Sequence, residues 1–256
     1  MASQRTLGKI ESGFFSITAV DDAENYVAWH QTDHTCEQFR ISGLAWGHRY
    51  FAPPACVEAS GHRPHELRDA VHIQNYLFED AANALTDFGA LGLELMGRGR
   101  FRSGVRGFLQ VPQRLTGTFA APDLPIAADA VPYRPHTGIY LVVEEQLGPR
   151  HVAAWREQSG DDTLRGLLRE DGVVGVWTYA AEDGGEVIDG SVRMPSSTEQ
   201  ITAIYLDGDP VLVSSAIAGH LRRRWAGAPV RPILAGPYLS VAPPPASWCT
   251  SSDPRW

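Results

Sequence analysis

GFFSITAV, residues 13–20, is echoed by GIYLVVEE, residues 138–145, and this echo decides the fold because the segments that follow repeat as well. YVAWHQ (26–31) has a counterpart in HVAAWRE (151–157), which sets Trp29 opposite Trp155. GLAWGHRYFAP (43–53) matches GVVGVWTYAAE (172–182), and NYLFEDAANAL (75–85) matches AIYLDGDPVLV (203–213), with Tyr76 opposite Tyr205. VRGFLQVP (105–112) matches VRPILAGP (230–237), and every offset lies between 125 and 129 residues. Loops absorb a drift of that size.

Each copy reads strand, helix, strand, strand, helix, strand. FFSITAV and IYLVVEE are β-branched and aromatic runs, and Asp21 and Asp22 can cap a helix starting near Ala23. DAANALTDFGALGLELMG (80–97) carries Leu and Ala at helical spacing and ends in a Gly-rich exit. Between the copies, residues 116–137 hold repeated prolines, which remove backbone donors and predict a linker.

A βαββαβ unit folds its four strands into an antiparallel sheet with both helices on one face, leaving the other face bare. Two units satisfy each other by packing bare face to bare face. The expected fold is therefore α+β: two ferredoxin-like βαββαβ repeats packed sheet to sheet as an intramolecular α+β barrel, with a cavity between the sheets. Residues 1–115 form the first repeat, 116–137 the linker, and 138–256 the second repeat with a C-terminal arm, VAPPPASWCTSSDPRW.

The totals narrow the function. A net charge of −8 over 256 residues supplies no basic field for nucleic acid, and the run Arg222–Arg224 is too short to replace one. No stretch approaches the roughly 20 apolar residues of a membrane span, and the first residues lack a signal-peptide core, so a cytoplasmic monomer or homodimer is expected. Cys36, Cys56 and Cys249 lie far apart without CxxC spacing, which predicts reduced thiols. No GxSxG, P-loop or strand-borne GxGxxG occurs, and GRGRF (97–101) follows a helix where a dinucleotide turn would precede one.

Chemistry concentrates in YVAWHQTDHTCEQF (26–39), where His30 and His34 stand four residues apart with Asp33 between them. At 3.6 residues per turn the two histidines share a sector with Tyr26, Val27 and Ile41, bordered by Asp33 and Glu37. An imidazole beside a carboxylate is held in one tautomer and titrates near neutrality, so His34 first and His30 second are candidate acid–base groups, with Asp33 orienting a ring. A zinc site is not expected, since HExxH is absent and a third ligand would have to come from Asp33 or His48.

The first copy keeps polar side chains where the second does not: His48 lies opposite Trp177, and Gln74 and Asn75 lie opposite Ala203 and Ile204. On the second strand Leu44, Trp46, His48 and Tyr50 alternate onto one face and Arg49 onto the other. Either face can line the cavity. Gln74 and Tyr76 share one face of the third strand and Asn75 takes the opposite one. His48 joins the catalytic candidates, and Trp46, Tyr50, Gln74, Asn75, Tyr76 and Trp177 are the candidate ligand-positioning residues. GHRPHELRD (61–69) is absent from the second copy and places two histidines on a lid or an exposed loop tip.

The pattern WHxxDH of Trp29, His30, Asp33 and His34, followed by GLAWGHRY and YLFED, resembles the EthD-like proteins of the dimeric α+β-barrel superfamily. The resemblance implies a small-molecule enzyme without a bound cofactor: a cyclase, isomerase, lyase or cofactor-free oxygenase acting on an apolar, aromatic or polyketide-like substrate. It leaves two alternatives. One is a non-catalytic binding protein. The other is a haem enzyme, since His220 in AIAGHLRRRW (216–225) resembles the outer-helix axial histidine of some haem members, with arginines for the propionates.

Overall fold

The computed structural model describes residues 9–102, 104–147, 160–181, 198–227 and 229–241. The expected first helix of the second half, around residues 151–157, and the C-terminal arm beyond Val241 lie outside these residues.

Eight strands run β1 (Ser12–Val20), β2 (Leu44–Phe51), β3 (His72–Phe78), β4 (Val105–Ala120), β5 (Gly138–Gln146), β6 (Val173–Ala181), β7 (Glu199–Leu206) and β8 (Val230–Ser240). They close into an antiparallel barrel in the order β1-β3-β2-β8-β5-β7-β6-β4. In the first half α1 (Ala23–Trp29) passes through a widened turn, His30–His34, into α2 (Thr35–Gln38), while α3 (Pro54–Glu58) follows β2 and α4 (Ala81–Gly97) follows β3. In the second half α5 (Gly160–Leu167) precedes β6 and α6 (Pro210–Gly227) precedes β8. The result is a mixed α+β fold on one large antiparallel sheet.

The halves do not lie as two separate sheets face to face; their edges join. β4 runs on through Ala120, into the segment expected as linker, because its distal half pairs with β6 from Gln113↔Ala181 to Ala120↔Gly175. The prolines begin to act after it, where Ala128–Tyr133 forms a 3₁₀ turn. The other seam is thin: β2 meets β8 only at Tyr50↔Ser240 and Phe51↔Leu239.

Alternation sorts the strand residues into an inside and an outside. Phe15, Tyr50, Trp177, Tyr179, Tyr205 and Tyr238 belong to one cluster within the barrel. The space expected as a cavity between sheets is thus filled by large rings, leaving a packed core. Outside, Phe14, Leu44, Tyr76 and Phe78 pack with Ala84 and Phe88 of α4, and Tyr140, Val142 and Ile204 pack with Leu167, Ile217 and Leu221 of α5 and α6.

Two expected pairings change with this sorting. Tyr76 faces the helices whereas Tyr205 faces the barrel interior, so setting them opposite each other is one residue out of register; a single-residue slip exchanges faces. A register shift between Leu44 and Trp46 separates Leu44 from the face of Trp46, His48 and Tyr50. Among the described residues no helix is long and apolar enough to cross a membrane.

Candidate functional site

α1 starts at Asp22, whose carboxylate accepts from the Asn25 amide at 3.2 Å. At His30 the helix widens, and the Thr35 amide bonds to the His30 carbonyl, five residues back. This spacing stacks Thr35 on His30, and Thr35 Oγ1 lies 2.7 Å from His30 Nδ1. His34 stacks on Trp29 with ring centres 4.8 Å apart and meets the edges of His30 and Phe101, each at 5.1 Å. Both histidines are buried.

They rest on the outer face of β2 and β3. His30 Nε2 is 3.3 Å from the Tyr76 hydroxyl. The Gln74 amide, set with its nitrogen toward His30 Nε2 at 2.6 Å, turns its oxygen to Arg49 Nη1 and Nη2 at 2.8 and 3.0 Å. That orientation makes Nε2 the acceptor, so His30 carries its proton on Nδ1 and donates to Thr35. His34 differs: Gln38 Nε2 lies 3.1 Å from its Nε2, while its Nδ1 is buried without a partner among the described residues.

Burial keeps these rings neutral. Desolvation, followed by the Arg49 charge, holds His30 well below its ordinary value. Desolvation brings His34 down to about 4, against a smaller upward pull from Asp33. The expectation of a ring titrating near neutrality therefore fails. Asp33 turns away to Arg100, which also takes Glu37 at 2.8 Å, so it anchors the helix to the α4 exit and does not orient an imidazole.

Two cavities flank this group. One of about 320 Å³ lies between the helices and the sheet, lined by Trp29, His30, His34, Gln74, Tyr76 and Phe88 among others. The second, about 510 Å³, opens where β2 parts from β8 above their two-residue pairing, and is lined by His30, Trp46, His48, Arg49, Tyr133 and His136 among others. His30, Gln74 and Tyr76 border both and form the wall between them. A third hollow of about 730 Å³ sits at a barrel mouth under the 61–69 segment, with His62 and Glu66 at its rim. That segment is strapped down, since Arg63 donates to the Leu67 and Ala70 carbonyls and to the Tyr238 hydroxyl.

The structure thus splits the expected catalytic and ligand-positioning residues. His30, His34, Gln74 and Tyr76 gather outside the barrel, whereas His48, Tyr50, Asn75 and Trp177 point inward. His48 returns to the site only because β2 borders the open seam; its Nε2 lies 2.5 Å from Ser240 Oγ, and burial brings the ring down to about 3. Trp46 lines the same cavity against Tyr133. Trp177 is core, its indole donating to the Ala128 carbonyl at 2.9 Å. Asn75 lies deep in the interior opposite His48.

Sequence reasoning passed over Arg49, Thr35, His136 and Ser240. His136 accepts from the Tyr50 hydroxyl at 2.9 Å through Nε2 and donates through Nδ1 to the Arg134 carbonyl. The run HRY in β2 was the available signal for Arg49, since the neighbour of an inward histidine must face the helices.

Among the described residues no three His, Cys, Asp or Glu side chains converge as a metal site. Haem, which the resemblance leaves open, does not fit at His220. Its Nε2 is 2.6 Å from Glu170 and its ring fills the space over Gly166. Among the described residues a hollow of about 30 Å³ lies beneath α6, between Val142, Leu167 and Leu221 and the Glu144–Arg224 pair.

No protein-family model matches the chain, and no curated relative does. Solved structures do. The presumed chlorite dismutase TA0507 is similar over 92% of this chain and 96% of its own, with a TM-score of 0.54 at 13% identity. A mutant chlorite dismutase from Candidatus Nitrospira defluvii, in complex with cyanide, is similar over 90% of each chain, with a TM-score of 0.51 at 10% identity. An anthrone oxidase-like protein aligns over 91% of this chain and 92% of its own, at 12% identity and a TM-score of 0.49. At these identities the likeness is one of fold alone, an α+β barrel.

Proposed function

We propose that the chain is a small-molecule enzyme of the EthD-like type whose two halves are copies of one ferredoxin-like unit. In this reading only the first copy carries a working site. The site lies between α1, α4 and the outer face of β3, and it needs no bound cofactor.

The observation that carries the reading is His34: a neutral, buried imidazole lining a half-open hollow, with Nδ1 bound to no partner among the described residues. Gln38 sets what that atom does. With the amide nitrogen toward the ring, Nε2 accepts and Nδ1–H donates to a substrate carbonyl or to a developing enolate oxygen. Turned by half, Gln38 presents Oε1, itself without a partner, to Nε2–H, and Nδ1 becomes a base for an acidic C–H or phenol O–H. The aromatic walls orient an apolar substrate against the buried ring. Cyclisation, isomerisation, elimination and cofactor-free oxygenation all begin with such a proton transfer.

The test is capture of a ligand from a metabolite mixture by native mass spectrometry, followed by incubation with protein. Conversion that falls by orders of magnitude in His34→Ala supports the enzyme. A ligand returned unchanged assigns the cavity to binding alone.

A further inference from the structure

Among the described residues two arginines are almost wholly buried, Arg49 and Arg224, and they differ in one respect. Arg224 carries a buried carboxylate, Glu144, with Nη2 to Oε2 at 2.8 Å and Nε to Oε1 at 3.2 Å. Arg49, 5% exposed, has no carboxylate among the described residues. It touches the Gln74 amide oxygen, hydrogen-bonds to the Tyr26 side chain and lies over that ring at 4.8 Å, and its Nε has no partner among the described residues.

A guanidinium keeps its proton at any pH a protein survives, so this charge stays in place. Burying it without an anion is costly, and an amide dipole together with the hydrogen bond and ring face of Tyr26 offsets only part of that. The side chain also borders the seam cavity, whose remaining walls include Phe39, Trp46, Tyr133 and Pro135. Aromatic walls around one uncompensated cation describe a receptor for an aromatic anion.

We infer that Arg49 binds the carboxylate of a small aromatic acid held in the cavity at the β2–β8 seam. The inference goes beyond the reading of the adjoining His34 hollow, from which the wall of His30, Gln74 and Tyr76 separates this cavity. The carboxylate pairs with the guanidinium, and the ring lies against Trp46 and Tyr133, which meet edge to face with centres 5.7 Å apart. The shared wall of His30, Gln74 and Tyr76 then lies beside the bound acid.

Calorimetric titration with 2-naphthoate and its neutral counterpart 2-naphthamide tests this. Wild type is expected to prefer naphthoate at least tenfold. Arg49→Gln is expected to lose the preference while still binding naphthamide, and to melt no lower than wild type, since it removes a buried charge. Arg49→Lys keeps the charge and is expected to retain part of the preference. Equal affinity for the two probes in wild type, no binding of either, or a melting temperature that drops in both variants overturns the assignment, the last by showing a structural arginine. His34→Ala separates this site from the catalytic reading: an intact naphthoate preference with unaltered turnover removes the catalyst and leaves the anion site. Lost turnover without any preference in wild type does the reverse.

Discussion

Thr35 Oγ1 sits 2.7 Å from His30 Nδ1, five residues away along the same helix, and this contact exists because the helix widens between them. It fixes the His30 tautomer, and through Gln74 it connects a surface helix to the buried Arg49. Thr35→Val keeps the shape and removes the acceptor, leaving a buried N–H unsatisfied. We expect a loss of about 1–3 kcal/mol in urea unfolding, with Thr35→Ser near wild type. Imidazole nitrogen shifts of His30 in the valine variant should lose the single-tautomer signature.

Stability should depend on pH with a definite sign. His34 and His72 are held at about 4 and His48 at about 3 by burial, while their unfolded value is near 6.5. The unfolded chain therefore binds protons that the folded chain refuses. The contribution is complete above about pH 6.5 and is lost as pH falls toward 4, by up to about 1.4 kcal/mol per pH unit for each fully buried ring. Urea midpoints measured from pH 7.5 to 4.5 should fall steadily below 6.5. A flat profile would show these rings charged or exposed in the fold.

Gly47 faces Tyr76 across the β2–β3 ladder, and a Cβ there would come within 2.8 Å of the tyrosine ring. The ring is hemmed in by Phe88 at 5.4 Å and His30, so it has little room to yield. Gly47→Ala should cost about 1–3 kcal/mol by overpacking and perturb the Tyr76 and His30 signals together. Unchanged ring shifts would mean that this wall is looser than described.

The barrel interior should behave as core. Tyr205 is fully buried among Trp177, Tyr179 and His136. Tyr205→Ala should destabilise by about 3–5 kcal/mol, judged from large-to-small core substitutions, and leave naphthoate affinity within a factor of two. Loss of affinity in a folded Tyr205→Ala protein would place the ligand inside the barrel.

The strands and most helices were legible in the sequence because alternation and helical spacing reflect which face each element buries, as in FFSITAV and DAANALTDFGALGLELMG. The faces themselves were not. A shift at Leu44–Trp46 and a one-residue slip in matching Tyr76 to Tyr205 leave hydrophobicity unchanged while exchanging inside and outside. The histidine pair was visible, but its chemistry was misjudged: Asp33 pairs with an arginine 67 residues away, and burial, which no local spacing records, sets the protonation. His136 was hidden by its place in a proline-rich stretch whose path over the seam depends on the long β4.

The central claim is that the working hollow lies outside the barrel, beneath α1, with His34 as its reactive group. The ratio kcat/KM, measured on the captured ligand for wild type, His34→Ala and Trp177→Phe, tests it most directly. The account predicts a fall of about 10²- to 10⁴-fold for His34→Ala and a change under threefold for Trp177→Phe. Full activity in His34→Ala, with collapse in a folded Trp177→Phe, would contradict it.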